Sequence, residues 1–213
     1  MFTGIIESIG TVRATRPGAG GKVISVDLGR LSENVNPGDS IAINGVCLTV
    51  SKINCTVAEF DVSTETLEKS AMDKITSGAT VNIERAMAAD GRFGGHIVQG
   101  HIDGVGTIKA INKIGDFAEI TFTVDSKLLD ELITKGSVAI DGISLTVAKM
   151  DKSFFTISVI PTTLKETTLG SAKIGNVVNI ETDVIIKTVK KQLQKILPTK
   201  EGLTQSKLKE LGF

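Results

Sequence analysis

The sequence has no tryptophan and no tyrosine, and its only aromatic residues besides two histidines are eight phenylalanines. Single-stranded nucleic acid is usually held by stacking on aromatic planes, so that class of function loses its main instrument. An excess of charge of one sign is also missing, because 24 lysines and arginines are matched by 24 aspartates and glutamates. Without a net positive field, neither a phosphate backbone nor an anionic membrane surface is attracted, and neither is expected as a partner. No uninterrupted apolar stretch approaches a bilayer span, and the opening residues MFTGIIE have neither a basic n-region nor a long apolar core. The protein is therefore expected to stay where it is made, in the cytoplasm. Cysteine is scarce too. Cys47 and Cys55 fall in strand-like runs, not in a spaced framework of pairs, and read as reduced thiols.

What remains is ordinary globular composition, 41% hydrophobic and 23% charged, which points to a folded chain and away from disorder or a fibrous repeat. At 213 residues it could form one large domain or two of about 100 residues. An internal duplication decides between them. Residues 40–50, SIAINGVCLTV, align without gaps onto residues 137–147, SVAIDGISLTV. At the same offset VNIE at 81–84 returns at 178–181, and Thr66-Leu67 returns as Thr163-Leu164. The opening GIIESIGTV at 4–12 returns as GHIDGVGTI at 100–108, one residue nearer. Four blocks in the same order define modules at 1–96 and 97–184, with a tail at 185–213 that has no counterpart.

Within each module, short runs of Val, Ile and Thr are punctuated by Gly, Asn and Asp about every ten residues, the pattern of a sandwich or small barrel. Asn44-Gly45 and Asp141-Gly142 lie between strand-like runs and suit the positive φ angles of type I′ hairpin turns. Closing about six strands into a barrel removes the exposed edges that an open sheet would leave. The expected class is therefore all-β, with two tandem closed barrels of about six strands each and a C-terminal α-helix. Residues 126–133 read as a short helix with Ser126 as N-cap and Gly136 just past the end. From Val184 to Leu197 the apolar positions Ile185, Val189, Leu193 and Ile196 form one helical stripe, which Pro198 ends. That stripe must bury against its own barrel or a neighbouring subunit, with the subunit favoured. Residues 202–213 look like a second short helix.

Small polar groups recur at strand ends: Ser40, Asn44, Cys47 and Thr49 in the first module, and Ser137, Asp141, Ser144 and Thr146 in the second. Ser and Thr also simply suit strands, and a lone Cys packs as a small hydrophobe. The recurrence of polar groups at the same positions favours two similar polar pockets. His96 and His101, the only histidines, sit in GGHIVQGHID at 94–103, where the modules meet. No third ligand accompanies them, so no metal is expected, and their choices are a hydrogen-bonded turn histidine or an acid/base role. Residues 91–95, GRFGG, lack the Lys-Ser/Thr ending and following helix of a phosphate loop. Asp183, near the start of the tail helix, suits a helix cap as well as a catalytic carboxylate.

These motifs, MFTGIIE at 1–7, NGVCLTV at 44–50, GGHIVQGHID at 94–103, DGISLTV at 141–147 and IPTTL at 160–164, resemble the riboflavin synthase family of duplicated lumazine-binding barrels over positions 1–184. The resemblance implies an all-β fold of two tandem six-stranded antiparallel Greek-key barrels with a C-terminal α-helix, and a transferase that needs no cofactor, acting in the last step of riboflavin biosynthesis. Two molecules of 6,7-dimethyl-8-ribityllumazine would exchange a four-carbon unit to give riboflavin and 5-amino-6-(D-ribitylamino)uracil. It also implies a homotrimer joined through C-terminal helices, the N-barrel of one subunit facing the C-barrel of another across the reaction site. An association with lumazine synthase stays open. By matching motif, the N-barrel contacts would be Gly4, Ile5, Ile6, Cys47, Leu48, Thr49, Asp61, Val62, Ser63, Thr64, Glu65 and Thr66. The C-barrel contacts would be Gly100, His101, Ile102, Lys135, Ser144, Leu145, Thr146, Ser158, Val159, Ile160, Pro161, Thr162 and Thr163. Ser40, Cys47, His101, Ser144, Thr146 and Asp183 are the candidates for catalysis. The rival reading is a non-catalytic lumazine- or flavin-binding protein of the same fold.

Overall fold

The computed structural model describes residues 1–196. The expected Ile196 side chain, Leu197, Pro198 and the second short helix at 202–213 lie outside the described residues.

Two closed six-stranded antiparallel barrels follow one another. The first holds β1 (Ser8–Gly18), β2 (Gly21–Asp27), β3 (Ser40–Ile43), β4 (Val46–Asn54), β5 (Val57–Ser63) and β6 (Thr80–Arg85). Around the barrel these run β1-β2-β5-β4-β3-β6, a Greek key because β3, β4 and β5 are hairpin neighbours while β2 and β6 return to flank them. The second barrel repeats the order with β7 (Gly104–Ile114), β8 (Phe117–Val124), β9 (Ser137–Ile140), β10 (Ile143–Met150), β11 (Phe154–Val159) and β12 (Val177–Thr182). Even the irregularities recur. The ladder slips between Val12 and Ala14 in β1 and between Ile108 and Ala110 in β7, and likewise in β4 and β10.

Alternation along each strand sends one face inward. Val12, Ile24, Ile41, Phe60 and Ile83 fill the first core, and Ile108, Ile120, Val138, Phe155 and Ile180 the second. The Asn44-Gly45 and Asp141-Gly142 turns take the expected positive φ values of 45°, 78°, 44° and 80°. Their tips meet. A Cβ on Gly45 would stand 2.5 Å from the Gly142 nitrogen, so the two hairpins abut across a pseudo-twofold seam. Cross-barrel hydrogen bonds follow that symmetry: Asn82 Nδ2 donates to the Asp141 carbonyl at 3.0 Å and Asn179 Nδ2 to the Asn44 carbonyl at 2.8 Å.

Among the described residues three short α-helices interrupt the strands and a fourth follows the last one. The expected helix at 126–133 is shorter than its sequence pattern: α2 spans Ser126–Leu129, and its N-cap is Asp125, not Ser126. The Asp125 carboxylate accepts from the Lys127 N–H at 2.8 Å, moving the start back by one residue. After Leu129 the chain tightens, with Glu131 N–H donating to Leu128 O and Leu132 N–H to Leu129 O, so the apolar spacing continues through turns. α1 (Thr64–Lys69) and α3 (Pro161–Glu166) occupy equivalent places in the two barrels. α4 (Val184–Ile196) starts where the tail helix was expected, and Ile185, Val189 and Leu193 lie on it at 57%, 52% and 48% exposure. No helix among the described residues is long and apolar enough to cross a membrane.

Candidate active site

The blocks preceding β1 and β7 form two extended straps. Phe2, fully buried, pairs with Val98 in an antiparallel bridge, and from that crossing the straps diverge. Each then lies against the other module's barrel. The Ser144 N–H at the head of β10 donates to the Gly4 carbonyl at 2.8 Å, and the Cys47 N–H at the head of β4 donates to the Gly100 carbonyl at 3.0 Å. Ile6 packs on the second core and Ile102 on the first. This corrects the expected grouping. Gly4, Ile5 and Ile6 lie with the second barrel's Ser144, and Gly100, His101 and Ile102 with the first barrel's Cys47, because the straps exchange barrels at the seam.

A buried glutamate pins each strap. Glu84 accepts from Thr3 N–H at 2.7 Å, Thr3 Oγ1 at 2.8 Å and Gly4 N–H at 3.0 Å. Glu181 accepts from the N–H groups of Gln99, Gly100 and His101 at 2.7, 2.9 and 3.1 Å. Burial pushes both carboxyls above their usual range, and the strap N–H donors pull back. The contacts leave no room for side chains at the strap glycines. At φ +77° a Cβ on Gly4 would lie 2.6 Å from Ser144 Cβ, and at φ +81° one on Gly100 would lie 2.4 Å from Cys47 Cβ.

The candidate contact residues fall on two similar outer barrel faces, the first and second candidate pockets. On β4, Leu48 points into the core while Cys47 is half-buried and Thr49 exposed on the opposite face. β5 carries exposed Asp61 and Ser63 around buried Val62, then enters α1 with Thr64, Glu65 and Thr66, where Ser63 Oγ caps the helix by accepting Thr66 N–H at 3.2 Å. On β10, Ser144 and Leu145 are half-buried and Thr146 is exposed. β11 carries exposed Ser158 and buried Val159, then Ile160 and the α3 residues Pro161, Thr162 and Thr163, with Pro161 opening the helix. Ser40 pairs with Thr49 at one strand end, as Ser137 pairs with Thr146 at the other. Ser40 and Ile5 also line an open cleft of about 630 Å³ with Thr3, Glu84 and Arg92.

Lys135 sits beside the second pocket, its N–H donating to Val147 O, at φ +68°, where the first barrel has Gly38 at φ +98°. A non-glycine residue there costs about 1–2 kcal/mol, and such strain often marks a functional position. His101 is exposed, and its backbone N–H donates to Glu181 at 3.1 Å. Asp183 acts as a cap: its Oδ1 accepts from Ile185 N–H at 2.9 Å at the start of α4. His96, considered above with His101 but not among the candidates, proves to be the histidine in the second pocket, with Nδ1 2.7 Å from Ser144 Oγ. Burial lowers its pKa, and the Asp183 charge acts in the opposite direction. Among the described residues no group of three or more His, Cys, Asp or Glu side chains could hold a metal ion.

Residues 3–86 and 99–183 each match the family model of the lumazine binding domain. The chain is 43% identical to a riboflavin synthase of Actinobacillus pleuropneumoniae and 40% identical to one of Bacillus subtilis (strain 168), covering all of this chain and of each relative. Its fold is similar to that of LumP solved in complex with riboflavin, with a TM-score of 0.79 and 24% identity over 85% of this chain and 99% of that one. Duplicated domains, full-length coverage and identity at this level place the chain in the riboflavin synthase family of lumazine-binding-domain proteins.

Proposed function

We propose that the chain catalyses the dismutation of two 6,7-dimethyl-8-ribityllumazine molecules, one giving a four-carbon unit to the other, to form riboflavin and 5-amino-6-(D-ribitylamino)uracil. The observation that carries this reading is the pair of like sites on one chain, in each of which a strap hydrogen-bonds the head of a β-strand whose neighbouring strand leads into a short helix. A reaction between two identical molecules calls for two like sites. Its atoms and electrons balance between the two substrates, so no external oxidant or reductant enters.

Carbon 7 of an N8-substituted lumazine is electrophilic, and the protons of its methyl group are acidic. A base makes a carbanion on one molecule while water or a side-chain nucleophile adds to the other. Ser40, Cys47, His101, Ser144, Thr146 and Asp183 are the groups we assign to this proton traffic. Holding two ring systems face to face supplies a large share of the acceleration through proximity. One ligand would rest on residues 47–49, 61–66 and 100–102, the other on residues 4–6, 135, 144–146 and 158–163.

The apolar stripe of α4, with Ile185, Val189 and Leu193 exposed among the described residues of one chain, supports a homotrimer in which these helices meet and the N-barrel of one subunit faces the C-barrel of another. In the same reading residues 1–96 and 97–184 are the two lumazine-binding units, 185–213 is the assembly segment, and the enzyme acts in the cytoplasm. The test is incubation with 6,7-dimethyl-8-ribityllumazine alone, with chelator present. Equal yields of both products, with two substrates consumed per riboflavin, are expected. Tight binding without turnover would replace the enzyme by a carrier of the same fold.

A further inference from the structure

Ser144 does not stand alone in its pocket. His96 is 8% exposed, its Nδ1 lies 2.7 Å from Ser144 Oγ, and its Nε2 is sealed from solvent with no hydrogen-bond partner among the described residues. The chain reaches this position by a tight route. The His96 N–H donates to the Thr3 carbonyl at 3.1 Å, and a Cβ on Gly95 would stand 2.1 Å from that carbonyl oxygen and 2.9 Å from Ser144 Oγ. Only glycine lets the backbone pass between strap and serine, so the glycine-rich junction delivers this imidazole.

Buried as it is, the ring is neutral and carries one N–H. Placing that hydrogen on Nε2 would strand a buried donor, whereas placing it on Nδ1 strands only a lone pair, and buried orphan N–H groups are the rarer of the two. We propose that His96 is a positioning residue: its Nδ1–H donates to Ser144 Oγ and leaves the serine's own proton directed into the second pocket, as the donor to a polar ring atom of bound lumazine. This rests on the reading that the second pocket holds lumazine. In the first pocket Cys47 occupies the equivalent place, and the only other histidine, His101, is exposed. The two sites therefore hold equivalent strap contacts and differ in proton supply.

The test is a double-mutant cycle on the full chain, with His96→Phe and His96→Asn each made with Ser144 present and with Ser144→Ala. His96→Phe removes the donor and is expected to lower kcat about tenfold with KM changed less than about twofold, the worth of one buried hydrogen bond used in the transition state. The Asn amide N–H can occupy the Nδ1 position, so His96→Asn is expected to stay within about threefold of wild type. In the Ser144→Ala background His96→Phe should cost nothing further. If His96→Phe does not fold, His96→Gln, whose amide reaches the Nε2 position instead, takes its place with the same expected loss. Equal losses in His96→Asn and His96→Phe, or losses that multiply in the double variant, would overturn the proposal. If wild type shows no turnover, the dismutation reading fails by itself. The same cycle, read by the affinity for riboflavin, then tests His96, with non-additive weakening expected and additive weakening refuting it.

Discussion

Replacing Asp141 with Asn should stabilise the protein, and only above acidic pH. Asp141 sits at the β9–β10 turn at φ 44°, 8% exposed, and its Oδ1 accepts the Asn179 N–H at 2.8 Å. The first barrel already contains the substituted version: Asn44 Oδ1 accepts the Asn82 N–H at 2.7 Å from the equivalent turn. Burial of Asp141 raises its pKa to about 7 from 3.8, with only the Asn179 hydrogen bond opposing. Between those values the folded protein holds a proton that the unfolded chain has lost, so stability falls as pH rises through the window and is level above it. At about 1.4 kcal/mol per unit the full shift is worth about 4 kcal/mol, and relaxation around the buried charge reduces this to about 2–4 kcal/mol. Asn makes the same acceptor contact without the charge. Urea unfolding from pH 4 to pH 8.5 at fixed protein concentration should show the variant ahead by that amount at the alkaline end, with the gap closing toward pH 4. Glu84 and Glu181 also titrate upward on burial but are common to both proteins and cancel in the difference. A variant no more stable than wild type at pH 8, or a gap independent of pH, would refute the reasoning.

Other substitutions probe the straps and the strained lysine. Glu181→Gln puts an amide NH2 among three N–H donors and should cost about 2–4 kcal/mol of stability, measured by urea unfolding, together with weaker riboflavin binding. Lys135→Gly relieves the left-handed backbone and should raise stability by about 0.5–1 kcal/mol after the added freedom of the unfolded chain, seen as a higher Tm. If Lys135 touches ligand, KM for the lumazine should rise in the same variant. Asn82→Ala deletes the bond to the Asp141 carbonyl and leaves the Thr168 N–H, now donating to Asn82 Oδ1 at 2.8 Å, without its acceptor. Its cost should be about 2–3 kcal/mol in the same assay.

The barrels were legible because their signals are local. Asn44-Gly45 and Asp141-Gly142 announce hairpins by turn chemistry, and the duplication carries one barrel's reading onto the other. α1 and α3 were not read as helices, since six residues span less than two turns and show no periodicity. Their only marks are the Ser63 cap, Pro161 and the repeated Thr-Leu. The strap exchange could not be read at all. Gly4 meets Ser144 and Gly100 meets Cys47 across long stretches of chain, and either barrel could have accepted either strap on pattern alone. The same distance hid His96, whose partner lies 48 residues away, while His101, inside the repeated block at 100–108, is a catalytic candidate through the family resemblance. Asp183 was legible as a cap or a catalyst, and its bond to Ile185 N–H accounts for the cap.

In the proposed function one chain carries two ligand sites, each completed by a strap from the opposite module. Titrating the folded protein with riboflavin, by flavin fluorescence and calorimetry, tests this directly alongside Gly4→Ala and Gly100→Ala, whose added Cβ atoms collide with Ser144 and Cys47 respectively. Two riboflavins should bind per wild-type chain and one per chain in each variant, the lost site being the second barrel's for Gly4 and the first barrel's for Gly100. A single site per wild-type chain, or two sites that survive both substitutions unchanged, would contradict it.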